Sequence, residues 1–316
     1  MKILFAGDQV RSVPCFDAVI EAGFEVVRVL VPTAPKRSAK VSALVDSAAR
    51  HGIPLLVTDD PNSVASIQEI IYAGAEVGVL AGFSCIVKRS FLDVLPQGCV
   101  NLHAGRLPEY RGSSPLNWAL INGENTVTLS VILVNEGIDT GDVVTERQVS
   151  VGSSDTIVDL HRISNEVFPE LLVEALQGIK AGNPNRRQQE GAKARYYPMR
   201  FPDDGLILWD QLTADQVHNR IRALTDPYPG AFTFLQGRKF RLLASDLAET
   251  FFIGEPGRIY RIQHGRLLVA AADRALWISR AECTDDGIPL AVVAKRYDRL
   301  LSLRDMAMDF AQGMAT

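Results

Sequence analysis

Cysteine is scarce in this chain: Cys15, Cys85, Cys99 and Cys283 are the only four in 316 residues, and no two form a CxxC pair. That spacing excludes a disulfide-stapled scaffold and reads as the reduced thiols of a cytoplasmic protein. Cys99 and His103 have no third or fourth ligand at suitable spacing, so no metal site is expected. Positive charge is not in surplus either. With 33 Lys and Arg against 37 Asp and Glu the formal charge is −4, which argues against a large nucleic-acid footprint. No apolar run approaches the length of a membrane span, and Met1 leads straight into the strand-like KILFA with no leader-like segment before it. The first strand is followed by FAGDQVRSVPCF, with one glycine where a dinucleotide fingerprint needs three. A Walker lysine motif and a G-x-S-x-G elbow are also missing, so nicotinamide, ATP and serine-hydrolase chemistry are not expected.

What is present is ordinary globular composition, 47% apolar and 22% charged, in a chain long enough for two cores. Up to about residue 150, short apolar runs alternate with amphipathic segments. KILFAG (2–7), EVVRVLV (25–31), IPLLV (53–57), EVGVLAG (76–82) and GCVNLH (98–103) read as strands. The segments between them carry helical periodicity and stop at glycines. Strands that alternate little, joined by helices, predict a mostly parallel, Rossmann-like α/β sheet covered on both faces. Two more β-rich runs, 127–134 and 142–151, precede a helix predicted over 155–180 with Ser154 or Asp155 near its cap.

Residues 1–182 therefore read as one domain and 183–205, rich in Gly, Pro and Arg, as a linker. In 206–316 a helix over 213–224 capped by Thr213 is followed by short strands. Turns are expected at Gln236-Gly237, His264-Gly265 and Asp273-Arg274, which suggests a small β-barrel closed by a final helix near 302–312.

The chemistry concentrates in NLHAGRLPEYRG (101–112) and NEGIDTGDVV (135–144). Asn101 and His103 are two apart in a strand, so they share a face at its carboxyl end, where doubly wound sheets bind ligands. Asp139 follows the next strand between two glycines. Each residue alone is explained by structure; together they suit acyl transfer to an amine. The Asn101 amide can donate to a carbonyl oxygen that gains charge, His103 can donate or carry a proton, and Asp139 can hold the imidazole or take the ammonium proton. No covalent nucleophile is required, so direct attack through a tetrahedral intermediate is the simplest course.

Asn-x-His, LPEYRGSSP (107–115) and GIDTGD (137–142) resemble the formyltransferases that use N10-formyltetrahydrofolate. The likeness continues through PDDGLILWDQLTADQVHNRIRALTDPYPGAFTFLQGRKF (202–240), which is similar to members with a C-terminal OB-like domain. The resemblance implies that Asn101, His103 and Asp139 are catalytic. It also implies that the pterin is held by Gly82, Phe83, Ser84, Cys85, Ile86 and Val87 together with Gly137, Ile138 and Thr140. The acceptor would then meet Tyr110, Arg111, Gly112, Ser113, Ser114 and Pro115, while Arg106 either meets a substrate diphosphate or faces solvent. A homodimer is compatible with this group.

Pro115-Leu116-Asn117-Trp118 and the short basic stretch Lys36, Arg37 and Lys40 look more like enzymes that formylate nucleotide-linked amino sugars. A small-molecule acceptor and no nucleic-acid or membrane partner are accordingly expected. Methionyl-tRNA formyltransferases share both domains and are the first competitor. A formyltetrahydrofolate hydrolase is disfavoured by domain order. A non-catalytic folate or nucleotide-sugar binding module is disfavoured because binding alone does not need all three polar residues.

Overall fold

The computed structural model describes residues 1–33 and 39–302. Lys36, Arg37, the Lys40 side chain and the helix expected near 302–312 lie outside the described residues. The chain divides into two compact units. One comprises Met1–Pro115, Thr126–Ser150 and His161–Pro198, and the other Leu116–Asn125, Val151–Leu160 and the residues from Met199 on.

The first unit is built on β1 (Lys2–Ala6), β2 (Glu25–Val31), β3 (Leu55–Val57), β4 (Val77–Leu80), β5 (Cys99–His103), the short β6 (Arg111–Gly112), β7 (Thr126–Leu133) and β8 (Val143–Ser150). Helices α1 (Ser12–Glu21), α2 (Ala39–Arg50), α3 (Val64–Ala73) and α4 (Arg89–Leu92) lie between the first five strands. The main sheet runs β3-β2-β1-β4-β5-β7-β8. Pairing is parallel as far as β5, then antiparallel through β7 and β8. This is the mostly parallel α/β sheet that the apolar runs predict. Ile3, Leu4, Phe5 and Ala6 are all fully buried, which a strand covered on one face only would not show. Ser63 accepts from the Ser66 amide to start α3, and Gly74, at φ 67°, ends it.

Three further elements follow: α5 (Pro115–Ile121), α6 (Ile157–Lys180) and β9 (Tyr196–Tyr197). The N-terminus of α6 differs from expectation by a residue or two. Thr156, not Ser154 or Asp155, stands directly before it, with both its amide and hydroxyl donating to Asp159 at 2.9 Å. Short β9 pairs in parallel with β6, so part of the polar stretch read as a linker is strand.

In the second unit α7 (Ala214–Leu224) is followed by β10 (Ala231–Leu235), β11 (Arg238–Leu247), β12 (Ile259–Gln263), β13 (Arg266–Ala270), β14 (Ala275–Cys283) and α8 (Leu290–Val293). The strands form one antiparallel sheet, β10-β11-β14-β13-β12, as an OB-like domain requires. Two hairpins close where expected: Gln236 and Gly237 have φ of 51° and 76°, and His264 and Gly265 of 50° and 75°. Two successive positive φ values make the tight turn whose twist matches the strands it joins. No described helix is long and apolar enough to cross a membrane.

Thr213 begins α7 with a reciprocal pair: it accepts from the Gln216 amide at 3.3 Å, while its own amide donates to the Gln216 side chain at 2.9 Å. Thr213→Ala should therefore cost about 1 kcal/mol of unfolding free energy. An unchanged urea midpoint would show that this cap contributes nothing.

Candidate active site

β5 lies between β4 and β7, and its alternation turns Asn101 and His103 to one face. Asn101 is half-buried, and among the described residues its side-chain amide has no protein partner, leaving its donors for a ligand. His103 is 4% exposed. Its Nε2 lies 2.5 Å from the Tyr110 carbonyl, so Nε2 carries a proton and donates. Gly105 permits that approach: a Cβ there would sit 2.8 Å from both His103 Nε2 and the Tyr110 carbonyl oxygen. Directly across the strand pair from His103 stands Ser130, fully buried, with a hydroxyl that has no hydrogen-bond partner among the described residues. Ser130 escaped the sequence reading because its register with His103 exists only once β7 pairs antiparallel with β5.

Asp139 reaches this imidazole by an indirect route. Because β7 runs antiparallel, it ends beside Val100, at the amino end of β5, and the loop that follows must bring the carboxylate back toward His103. The bend is made at Asp139 itself, with φ 52°, between glycines that have no room for a side chain. A Cβ on Gly141 would land on the Leu133 carbonyl, and one on Gly137 would strike the Thr140 hydroxyl. Asp139 Oδ2 then lies 3.5 Å from His103 Nδ1 and accepts from the Gly112 amide at 2.9 Å. A ring bearing both protons has an acceptor for each. His103 and Asp139 thus meet, and Asn101 stands two residues before His103 on the same face of β5.

Of the other residues singled out in the sequence, Tyr110 and Gly112 touch the pair of His103 and Asp139 directly, and the rest lie on the adjoining segments. Gly82, at φ 65°, turns the chain after β4, and the Gly82 carbonyl accepts from the Asp8 amide at 3.1 Å. Ser84 donates to Asp8 through its amide and its hydroxyl. Asn62 clamps the same loop, donating to the Ile86 carbonyl at 2.9 Å and accepting from the Lys88 amide at 2.6 Å. Thr140 and Gly137 both donate to Asn135. Ile86 and Ile138 are 76% and 61% exposed, apolar surface on each of the two loops. Tyr110 stacks on Tyr197 at 4.9 Å. Arg111 is buried, with its donors directed to Gln189 and Tyr196, two residues the sequence reading did not single out. Arg106 lies 3.9 Å from Glu109 and is about half exposed. Ser113 is held to the Tyr197 carbonyl through its amide, Ser114 has φ 54°, and Pro115 opens α5.

Residues 1–176 match the Formyl transferase family, and residues 201–287 match Formyl transferase, C-terminal domain. The chain belongs to the formyltransferase family. Among its relatives, the methionyl-tRNA formyltransferase of Geobacter sulfurreducens is 34% identical over 290 residues, covering 89% of each chain. The methionyl-tRNA formyltransferase of Ruminiclostridium cellulolyticum is 32% identical, over 89% of this chain and 92% of its own. Of solved structures, the sugar 3N-formyl transferase WlaRD, crystallised in the presence of dTDP and 5-N-formyl-THF, superposes with a TM-score of 0.67. At 18% identity, over 90% of this chain and 98% of that one, it shares the fold.

In this formyltransferase, Asn101→Ala should lower kcat by about a hundredfold, the usual consequence of deleting one donor to a developing oxyanion. Asp139→Asn tolerates the same left-handed backbone, so it should fold as the parent does yet lose about a hundredfold in kcat. Asp139→Ala should lose the activity and also about 1 kcal/mol of stability. Near-normal turnover in both Asn101→Ala and Asp139→Asn would refute these assignments.

Proposed function

We propose that this formyltransferase moves the formyl group of N10-formyltetrahydrofolate to the amino group of methionyl-tRNA. The placement of Asn101 and His103 on one face of β5, with Asp139 against His103, supports the transfer. Methionyl-tRNA as acceptor is supported by relatives at 31–34% identity whose match runs through both units of the chain. The folate suits the residues present: exposed Ile86 and Ile138 offer apolar cover for a flat ring. Once bound, that donor supplies an activated formyl carbon. The neutral acceptor amine would attack the formyl carbon while Asn101 donates to the formyl oxygen as it gains charge. Asp139 would accept the proton that the newly bonded nitrogen sheds, and the bond from the carbon to N10 would break with that proton passing to the leaving tetrahydrofolate nitrogen. His103, held by the Tyr110 carbonyl at Nε2 and facing Asp139 at Nδ1, has both nitrogens engaged, so its part is to steady the Asp139 carboxylate that takes the proton.

The sequence expectation of a nucleotide-linked amino sugar becomes the second reading. Part of its basis is spent on packing: Asn117 is buried and donates to the Ala223 carbonyl at 2.8 Å, and the Trp118 ring lies 4.8 Å below the Arg200 guanidinium. What still favours it is the formal charge of −4, which gives no general attraction to tRNA phosphates.

Two measurements test these readings. Cys15, Cys99 and Cys283 are buried, and burial pushes the Cys15 thiol up to about 12 and the Cys99 thiol up as well. At pH 8 those two therefore hold almost no thiolate, and a disulfide reagent should modify one thiol quickly, Cys85 in the loop after β4. Saturating 5-formyltetrahydrofolate should slow that reaction several-fold; an unchanged rate would remove the loop from the folate site. Initial rates with methionyl-tRNA, and with dTDP-, UDP- and GDP-linked amino sugars, decide the acceptor. The tRNA should be formylated with kcat/KM falling at least about tenfold between 50 and 200 mM salt, as release of phosphate counterions requires. Turnover of an amino sugar with little salt dependence, and none of the tRNA, would establish the second reading instead.

A further inference from the structure

Gln189 lies in the polar stretch that reads as a linker, 50 residues from Asp139 and 78 from Arg111, and it bonds to both. Its Nε2 donates to the Asp139 carbonyl at 2.9 Å and to the Gly141 carbonyl at 2.7 Å. Its Oε1 accepts from Arg111 Nε at 3.0 Å and Nη2 at 2.8 Å. Both amide protons and both oxygen lone pairs are used, and the partners fix which end is which, since carbonyls only accept and a guanidinium only donates. Arg111 in turn gives Nη1 to the Tyr196 hydroxyl at 3.0 Å, and its chain neighbour Gly112 supplies the amide that holds the Asp139 carboxylate at 2.9 Å. A closed circuit results. Asp139 is held through its side chain by Gly112 and through its main chain by Gln189, and the two holds are joined by Arg111.

We infer that Gln189 is a positioning residue: it locks Asp139 in its left-handed conformation and so sets the carboxylate against His103. The inference rests on the role of Asp139 proposed above. An αL aspartate without such support would relax toward ordinary backbone angles and swing its carboxylate away from the imidazole. The amide is suited to this because it must accept from a cation on one side and donate to two carbonyls on the other. Glutamate can do only the first.

Gln189→Met and Gln189→Glu separate these two jobs. Both variants should lower kcat about tenfold to a hundredfold while KM for the folate and for the acceptor moves little. Nitrogen NMR of histidine-labelled enzyme supplies a readout that needs neither substrate. With the His103 signals assigned from a His103→Gln variant, both Gln189 variants should shift the His103 ring nitrogens and leave those of His218 in place. Should neither acceptor be formylated by the parent enzyme, the NMR comparison alone decides the positioning role. Should the methionine variant fail to fold, the glutamate variant, which keeps Arg111 paired, decides. Unmoved His103 signals in a folded variant, with or without a fall in kcat, overturn the proposal, as does parental kcat in both.

Discussion

A carboxylate has to be held against a buried imidazole by a loop that leaves its strand at the wrong end. β7 runs antiparallel to β5 and finishes beside Val100, whereas His103 is three residues further along β5. Most of the special backbone around the site follows from closing that gap. Asp139 adopts a positive φ, Gly141 presses on the Leu133 carbonyl, and Gly137 makes room for Thr140. Gly105 lets the Tyr110 carbonyl close on the other side of the imidazole. None of these glycines belongs to the hydrophobic core, yet each is constrained as tightly as a core position, because a side chain would strike backbone at Gly141, the imidazole and the Tyr110 carbonyl at Gly105, and Thr140 at Gly137.

The same geometry explains why Asn101 is differently placed. It stands on the strand itself, two residues before His103, and needs no loop to aim it. Its amide is left without a protein partner among the described residues, whereas His103 is held at both nitrogens. An oxyanion donor has to be rigid through its backbone and open at its tip, and a strand interior supplies both. On the proposed mechanism Asp139 is the proton acceptor, and the fixed position that role needs comes from the hydrogen bonds made to it.

Much of this was legible in the sequence. Non-alternating apolar runs gave away a parallel sheet, and the Gln-Gly and His-Gly pairs placed both hairpin turns, because those signals are local and each depends on one or two residues. Asn101 and His103 stood out because their strand runs into a turn rich in glycine and proline, and Asp139 because it lies between two glycines. Gln189, Tyr196 and Ser130 were not. Gln189 meets its partners across 50 and 78 residues of chain, Tyr196 meets Arg111 across 85, and Ser130 faces His103 only through an antiparallel register. A polar residue among other polar residues carries no mark of which distant carbonyl it serves. The α6 cap shows the same limit at short range, since Ser154, Asp155 and Thr156 all have capping side chains and the Asp159 contact selects among them.

Strain and support at Asp139 can be weighed against each other. A left-handed backbone costs an L-residue about 1–2 kcal/mol, and one ordinary hydrogen bond returns about 0.5–1.5 kcal/mol, so a single contact would leave the conformation close to balance. The loop has more than one. Gly112 holds the carboxylate, Gln189 holds the carbonyls of Asp139 and Gly141, and Arg111 fixes Gln189 from behind. Several bonds that each depend on the others make the conformation the one state in which all are satisfied, which is how strain persists at a functional site. The stretch from Gln189 to Tyr197 therefore joins the site chemically while remaining remote from it in sequence. Its contribution is to hold one carboxylate in place through bonds made entirely within the protein.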